Sequence, residues 1–319
     1  MYCQESVDQK LVHRETGAWD GQDGSQLFDV IPNRNRQEFH AEQILTEYTG
    51  RNVSFVDDTL NACLGIFKAA RITHHQGIPI EQDPKSKKYF LNLHWANREP
   101  DAQQLGFPTW SWTSTGGQKI FPKGRRPDRK YLRMHVPDAA GRWRSVGKWI
   151  ASSDYKGTGI TQLSQCLRIT ARIGTPIFVD TSWLDKNLED KCIRPSGQGP
   201  FMFIEHSSKI RTLFRVHLDR KTDSIHSLSD AIILLLQRGG GWHGPEAYPV
   251  MLILVRASNE ERYQRVGITD WDDKWEYVKR DPKPGEIGVE GMWRVHQHWI
   301  VTERPGLTKN FEKKTLYLE

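Results

Sequence analysis

The chain has 319 residues, 37% of them apolar and 26% charged, with a net charge of +6. That length is enough for one large domain or two of ordinary size. No apolar run approaches the roughly 20 residues needed to span a bilayer, and the first residues lack the pattern of a secretory or organelle leader, so a membrane protein is excluded and a cytoplasmic one expected, with the nucleus as the alternative. The cysteines Cys3, Cys63, Cys166 and Cys192 stand far apart without a Cys-x-x-Cys pair. That argues against a disulfide scaffold or a zinc site and fits a reducing compartment.

Residues 1–36 are rich in glycine and polar residues and read as an irregular lead-in. Phe39, Ile44, Leu45 and Tyr48 then predict a helix ending near Gly50, a residue suited to a helix C-terminus. Ser54 or Asp57 would cap a second helix through Leu60, Cys63, Leu64, Phe67 and Ala70, whose spacing gives a one-faced stripe. Gly65, with Ala62, Ala69 and Ala70, leaves room for another element to approach. Tyr89–Ala96 predicts a third short helix, with a strand as the alternative that its aromatic residues allow.

After Gly106 the pattern is that of strands, short apolar runs parted by Gly, Pro, Asp and Asn. The clearest are Gln118–Phe121, Cys166–Ile173, Ile177–Val179, Phe201–Ile204, Leu213–Leu218, Ala231–Gln237, Tyr248–Arg256, Tyr263–Ile268 and Trp299–Thr302. Leu167, Ile169, Ala171 and Ile173 alternate with Arg168, Thr170 and Arg172, the mark of a half-buried strand. Positions 123–153 read as a long polar insertion. Basic residues gather at Lys119–Lys130 and Arg142–Lys148, in what reads as a solvated loop, and a phosphate-binding segment is the alternative. Asp270–Asp273, with Trp271 and Trp275, reads as a surface turn. The division expected is a lead-in and helical segment over 1–105 and a β-rich domain over 106–319.

The sharpest single feature is Pro108-Thr109-Trp110-Ser111-Trp112. In an extended segment Trp110 and Trp112 project from one face, and each indole buries about 150–250 Å². The expectation is a core face, with Ser111 on the opposite side and the helix stripe Leu60, Leu64 and Phe67 packed toward the indoles. A stacking platform for a base or sugar is the alternative.

The remaining candidates for chemistry are weaker. Arg51 and Asp58 read as a structural ion pair or a helix cap, the alternative being a catalytic or ligand-binding pair. Arg265, beside Gly267, ties a strand to its neighbour or holds an anion. His296 and His298 share one face of a strand, but a metal needs three or four ligands. His74 and His75 diverge as adjacent residues, and His94 reads as packed. Gly239-Gly240-Gly241 follows an apolar strand but precedes prolines instead of a helix with Lys or Ser/Thr, so a phosphate cradle is not expected. No Gly-x-Ser-x-Gly occurs, and no cysteine has a nearby histidine to activate it. The reading is of a non-enzyme with no metal and no cofactor.

Taken in order, these segments resemble the region that follows the HET domain in fungal heterokaryon-incompatibility proteins. The resemblance rests on Tyr48-Thr49-Gly50-Arg51 with Asp58-Thr59-Leu60-Asn61-Ala62 and Gly65-Ile66, on Pro108-Thr109-Trp110-Ser111-Trp112, and on Tyr263-Gln264-Arg265-Val266-Gly267-Ile268. Met1–Glu5 is similar to the cysteine-containing strand just after the HET domain, so the resemblance covers about residues 1–310. The strands that open the HET domain itself are not found in this sequence, so the resemblance implies the companion region and not the death-inducing effector. Helical segments first and strands after Gly106 predict an α+β fold, with a short N-terminal helical segment packed on a larger, mainly antiparallel β-sheet or sandwich. The function the resemblance implies is non-catalytic recognition or regulation through a protein partner, in allorecognition and programmed cell death. A nucleic-acid- or glycan-binding β module, using the Trp-rich surface and the basic segment, is the second expectation.

Overall fold

The computed structural model of the chain describes residues 37–51, 58–83, 86–121, 132–152, 165–179, 200–207, 210–221, 228–237, 249–257, 261–280, 289–294 and 310–319. The fold is α+β, helices first and a large, mostly antiparallel sheet after them. Helix α1, Gln37–Thr49, buries Ala41, Leu45 and Tyr48, spaced four and three apart on one side. Helix α2, Asp58–Ala69, buries Leu60, Cys63 and Phe67 in the same manner, with Asp58 in its first turn and Lys68 in its last, complementing the helix dipole. The Tyr48 hydroxyl donates to the Thr59 carbonyl at 2.8 Å and so pins α1 to the start of α2. The chain leaves α2 through Arg71 in left-handed conformation, and Ile72 N–H closes on the Phe67 carbonyl at 2.8 Å. Gly65 is exposed, with open space where a Cβ would stand, so no element approaches there as the sequence led us to expect.

Next come three short strands, β1 (His74–His75), β2 (Ile78–Gln82) and β3 (Tyr89–Leu91), in the sheet order β1-β2-β3. The two-residue loop Gln76-Gly77 has positive φ at both positions, 50° and 80°, as a primed hairpin turn requires. Tyr89–Ala96 is not helical: β3 gives way to an irregular stretch in which Leu93 N–H bonds back to the Leu91 carbonyl at 3.0 Å. Tyr89, Phe90 and Leu91 join a ladder, and aromatic residues favour such a pleated, half-buried surface. Strand β4 (Ala96–Asn97) pairs with β5 (Lys119–Ile120), and the Trp signature lies between them.

The large sheet holds β6 (Arg133–Pro137), β7 (Trp143–Ser145), β8 (Leu167–Gly174), β9 (Ile177–Val179), β10 (Phe201–Ser207), β11 (Ile210–Leu218), β12 (Ile232–Gln237), β13 (Val250–Arg256), β14 (Arg262–Arg280), β15 (Val289–Arg294) and β16 (Glu312–Leu318). Its order is β7-β6-β8-β12-β13-β14-β11-β10-β9, with β15 on β14 and β16 joined to both β14 and β8. These pairings close β8, β12, β13, β14 and β16 into a ring, whose one parallel contact sets Arg262 and Tyr263 of β14 against Tyr317 and Leu318 of β16.

Alternation gives the ring two faces. Leu167, Ile169, Ala171, Leu234, Leu252, Leu254, Ile268, Leu316 and Leu318 share one core with Leu45, Phe67, Trp95, Trp110, Trp112 and Trp149. This core runs without interruption past Gly106, from the first helix to the last strand. A second core, on the opposite face, gathers Met202, Phe214, Val216, Ile233, Leu235, Met251, Ile253 and Val266.

Two more expectations change. Within 123–153 the residues 132–152 are ordered core structure: β6, β7 and helix α3 (Val146–Ile150) bury Met134, Val136, Val146 and Trp149. Residues 270–273 lie inside the long strand β14 and form no separate turn; they are an irregularity in its ladder with β11, which pairs Thr269 with Val216 and resumes at Lys274 opposite Phe214. The expected strand at Trp299–Thr302, the glycines 239–241, His296 and His298, and Met1–Glu5 lie outside the described residues.

Candidate functional site

Of the residues singled out in the sequence, Tyr48, Pro108, Trp110, Ser111, Trp112, Arg265 and Gly267 converge on one buried assembly at the end of the ring, and Arg51, Asp58 and Gly65 do not. Its centre is the Pro108–Trp112 segment, which is not a strand: it is a turn leading into a short 3₁₀ helix, Trp112–Ser114, capped by Ser111. The hydroxyls explain the turn, since Ser and Thr side chains offer the backbone local partners in place of a ladder. Ser111 Oγ accepts from Thr113 N–H at 3.3 Å, and Ser114 Oγ donates to the Thr109 carbonyl at 3.2 Å.

Burial of the indoles holds although their geometry differs from expectation. Trp110 and Trp112 are 0% and 1% exposed. Each reaches a different carbonyl with its N–H, Trp110 that of Gln165 at 2.9 Å and Trp112 that of Gly77 at 2.7 Å. A third buried indole, Trp95, donates to the Trp110 carbonyl at 3.1 Å. Ser111 is buried as well, its hydroxyl donating to the Gln76 carbonyl at 2.6 Å. The Tyr48 ring meets Trp112 edge-on, centroids 6.1 Å apart, and His75 stacks on Trp110 at 5.6 Å. Leu60 joins them, since its Cδ1 and Trp112 Nε1 both lie 3.1 Å from where a Cβ on Gly77 would stand.

Arg265 supplies the charge. Its side chain is wholly buried, with Nε donating to Asp219 Oδ2 at 2.8 Å and Nη2 to Oδ1 at 3.3 Å. Nη1 donates to the Leu93 carbonyl at 3.0 Å, Nη2 also to that of Trp95, and the guanidinium carbon lies 3.4 Å from the centre of the Trp95 ring. Burial pushes the Asp219 carboxyl up and the Arg265 guanidinium down from their ordinary values, while each partner's charge pulls the other back. The backbone joins in. Arg265 N–H donates to Thr109 Oγ1 at 3.0 Å, and that hydroxyl donates onward to the Glu319 carbonyl, which also accepts Thr109 N–H at 3.0 Å. Two residues on, Gly267 must be glycine, because a Cβ there would sit 2.5 Å from the His217 carbonyl oxygen.

Lys119 is the member that sequence reasoning missed. The sequence sets it at the start of a basic run expected to be solvated, yet it is 1% exposed, its ammonium donating to the carbonyls of Thr115 and Gly117 at 2.9 Å each and to that of Gly116. Burial pushes it down to about 7, against the pull of Asp219 and Asp101. The second half of the basic run is also engaged, for Arg142 and Arg144 both hold Asp138 Oδ2, at 2.9 and 2.7 Å. The available signal was the pair Gly116-Gly117 just upstream, which frees carbonyls to turn toward one point.

Arg51 and Asp58 stand apart from the assembly. Both are exposed, near Tyr48, while Arg265 is sealed inside. Burial pushes the Tyr48 hydroxyl up to about 12. His75 and His74 are pushed down to about 3 and about 4 by burial, so both rings are neutral near pH 7. Among the described residues no group of three or more His, Cys, Asp or Glu gathers as a metal site would require, and no helix is long and apolar enough to cross a membrane. Chemically, the arrangement is a cross-link: charge, hydroxyls and indole N–H groups each terminate on protein carbonyls or on Asp219. The chain matches no protein-family model, no curated protein and no solved structure.

Proposed function

We propose that the chain is a non-catalytic recognition region of the fungal heterokaryon-incompatibility type, working in the cytoplasm through contact with a protein partner and without a cofactor. The observation that supports this reading is the fate of the residues carrying the resemblance. Tyr48, Pro108–Trp112, Arg265 and Gly267 come from distant parts of the chain to one buried junction, where they hold helices, turn and ring together. Motif residues spent this way specify a scaffold, and a scaffold leaves the surface to set what is recognised.

Expression in a filamentous fungus tests it, with the chain supplied alone and fused behind an active HET domain. The chain alone should leave viability unchanged, and the fusion should alter the strength or strain specificity of the incompatibility reaction. Cell death from the chain alone would overturn the reading, as would a fusion that behaves like the bare HET domain.

A further inference from the structure

The outer face of the ring carries chemistry that the buried assembly does not use. The strands β6, β8 and β16 lie side by side, and their register sets Arg133 opposite Thr170 and Thr315, His135 opposite Arg168 and Tyr317, and Arg172 opposite Lys313. Alternation puts these side chains away from Met134, Ile169 and Leu316, which are buried. The Thr170 and Thr315 hydroxyls meet across the face at 2.8 Å. At one corner Trp143 of β7 meets Tyr317, ring centroids 5.5 Å apart, and the Arg168 guanidinium lies 5.3 Å from the Trp143 ring centre.

Among the described residues cations prevail on this face, and the one carboxylate that alternation sets beside Tyr317, that of Glu319, is held by Arg262. Arg133, Lys313 and Thr315 are exposed, and Arg168, Trp143 and Tyr317 are half-buried. His135, between Arg133 and Arg168, is pushed down from its ordinary value by burial and then by those two cations. The carboxylates around the face are held by other partners: Glu312 by Lys314 at 2.7 Å, Glu319 by Arg262 at 3.3 Å, and Asp138 by Arg142 and Arg144. None of these pairs draws on Arg133, Arg168 or Lys313.

We propose that this face binds a single-stranded nucleic acid, its bases stacking on Trp143 and Tyr317 and its phosphates lying on Arg133, Arg168 and Lys313. Cations supply affinity for the backbone whatever the sequence. Flat rings beside them take up unpaired bases, which a duplex keeps inside its stack. The two threonine hydroxyls between the cations suit phosphate or sugar oxygens. An acidic peptide would satisfy the cations and leave both rings unused. The register sets Arg133 diagonally across from Arg168 on the neighbouring strand, about 8 Å away, and Lys313 on the far side of β8, about 12 Å from Arg133, an open spread of cations that a flexible polyanion can follow.

Fluorescence anisotropy of the full chain with a short, labelled oligouridine tests the proposal. Binding should weaken steeply with added salt. The variant Arg133→Gln with Lys313→Gln, both on the solvent side, should keep the wild-type melting temperature, lose at least about tenfold in affinity, and shed about 1.4 from the logarithmic salt slope for two phosphate contacts. Tyr317→Thr should lose at least about fivefold in affinity with the slope unchanged. No binding at low salt would overturn the proposal. So would unchanged affinity in the folded double variant, a duplex bound as tightly as the single strand, or binding to phosphatidylserine vesicles but not to the oligouridine.

Discussion

Trp112 and Gly77 are locked to each other. The indole N–H donates to the Gly77 carbonyl at 2.7 Å, and its nitrogen occupies the space 3.1 Å from where a Cβ on Gly77 would lie. Gly77 also sits at φ 80°, where a side chain costs about 1–3 kcal/mol. Gly77→Ala should therefore lower stability by at least that amount. Trp112→Ala, which empties a fully buried site, should cost about 3–5 kcal/mol. Chemical denaturation reads both, and an unshifted midpoint in either variant contradicts the structural role given to the signature.

The Arg265–Asp219 pair predicts strong non-additivity. Arg265→Met leaves the Asp219 carboxylate buried without its cation and should cost about 3–5 kcal/mol. Replacing both, Arg265→Met with Asp219→Leu, should cost less than the two single changes summed, because no unmatched charge remains. A double-mutant cycle measured by urea unfolding checks this, and simple additivity would refute the coupling.

Lys119 predicts a stability that depends on pH. Its amine is pushed down to about 7 in the fold, from the usual 10.5. Between those values the unfolded chain binds the extra proton, so the fold gains stability as pH rises from about 7 to about 10.5. Tyr48 and Cys63, both pushed up to about 12 by burial, act in the opposite sense at alkaline pH. The difference between wild type and Lys119→Met isolates the lysine. It should shift in favour of wild type across that window, and a flat difference would mean that the three carbonyls keep the ammonium charged throughout.

His75 predicts acid sensitivity. Burial between Trp110 and Trp149 pushes it down to about 3. The unfolded chain binds a proton near 6.5 and the fold resists it, so stability is present above about 6.5 and falls away toward pH 3. The slope from this one group reaches about 1.4 kcal/mol per pH unit. Melting curves of His75→Phe should show a shallower acid decline than wild type, and identical acid profiles would remove His75 from the account.

Much of this architecture was legible in short-range pattern. The stripe Leu60, Cys63, Phe67 announced α2, and the alternation from Leu167 to Ile173 announced β8. Burial of Trp110 and Trp112 was legible too, from ring size alone. What failed was the step from burial to strand. That step assumed an extended backbone, whereas the hydroxyls of Ser111 and Ser114 bend the chain locally. Pairings across long separations left no local trace. Nothing near Arg265 points to Asp219, and near Lys119 only the pair Gly116-Gly117 sets it apart from the charged residues that follow. Asp270–Asp273 misled in part: these polar residues lie within β14, but they are the stretch that bulges out of its ladder with β11 between Thr269 and Lys274.

Ring closure has a consequence for synthesis on the ribosome. The last strand in order, β16, is the one inserted between β8 and the start of β14. Until residues 312–318 have emerged from the exit tunnel, a nascent chain leaves Ile169 and Leu167 without the neighbours that Leu316 and Leu318 provide. It also lacks the Glu319 carbonyl that Thr109 grips. Closure of the ring must thus wait for β16, and until then the edge of β8 that β16 covers stays open to other strands.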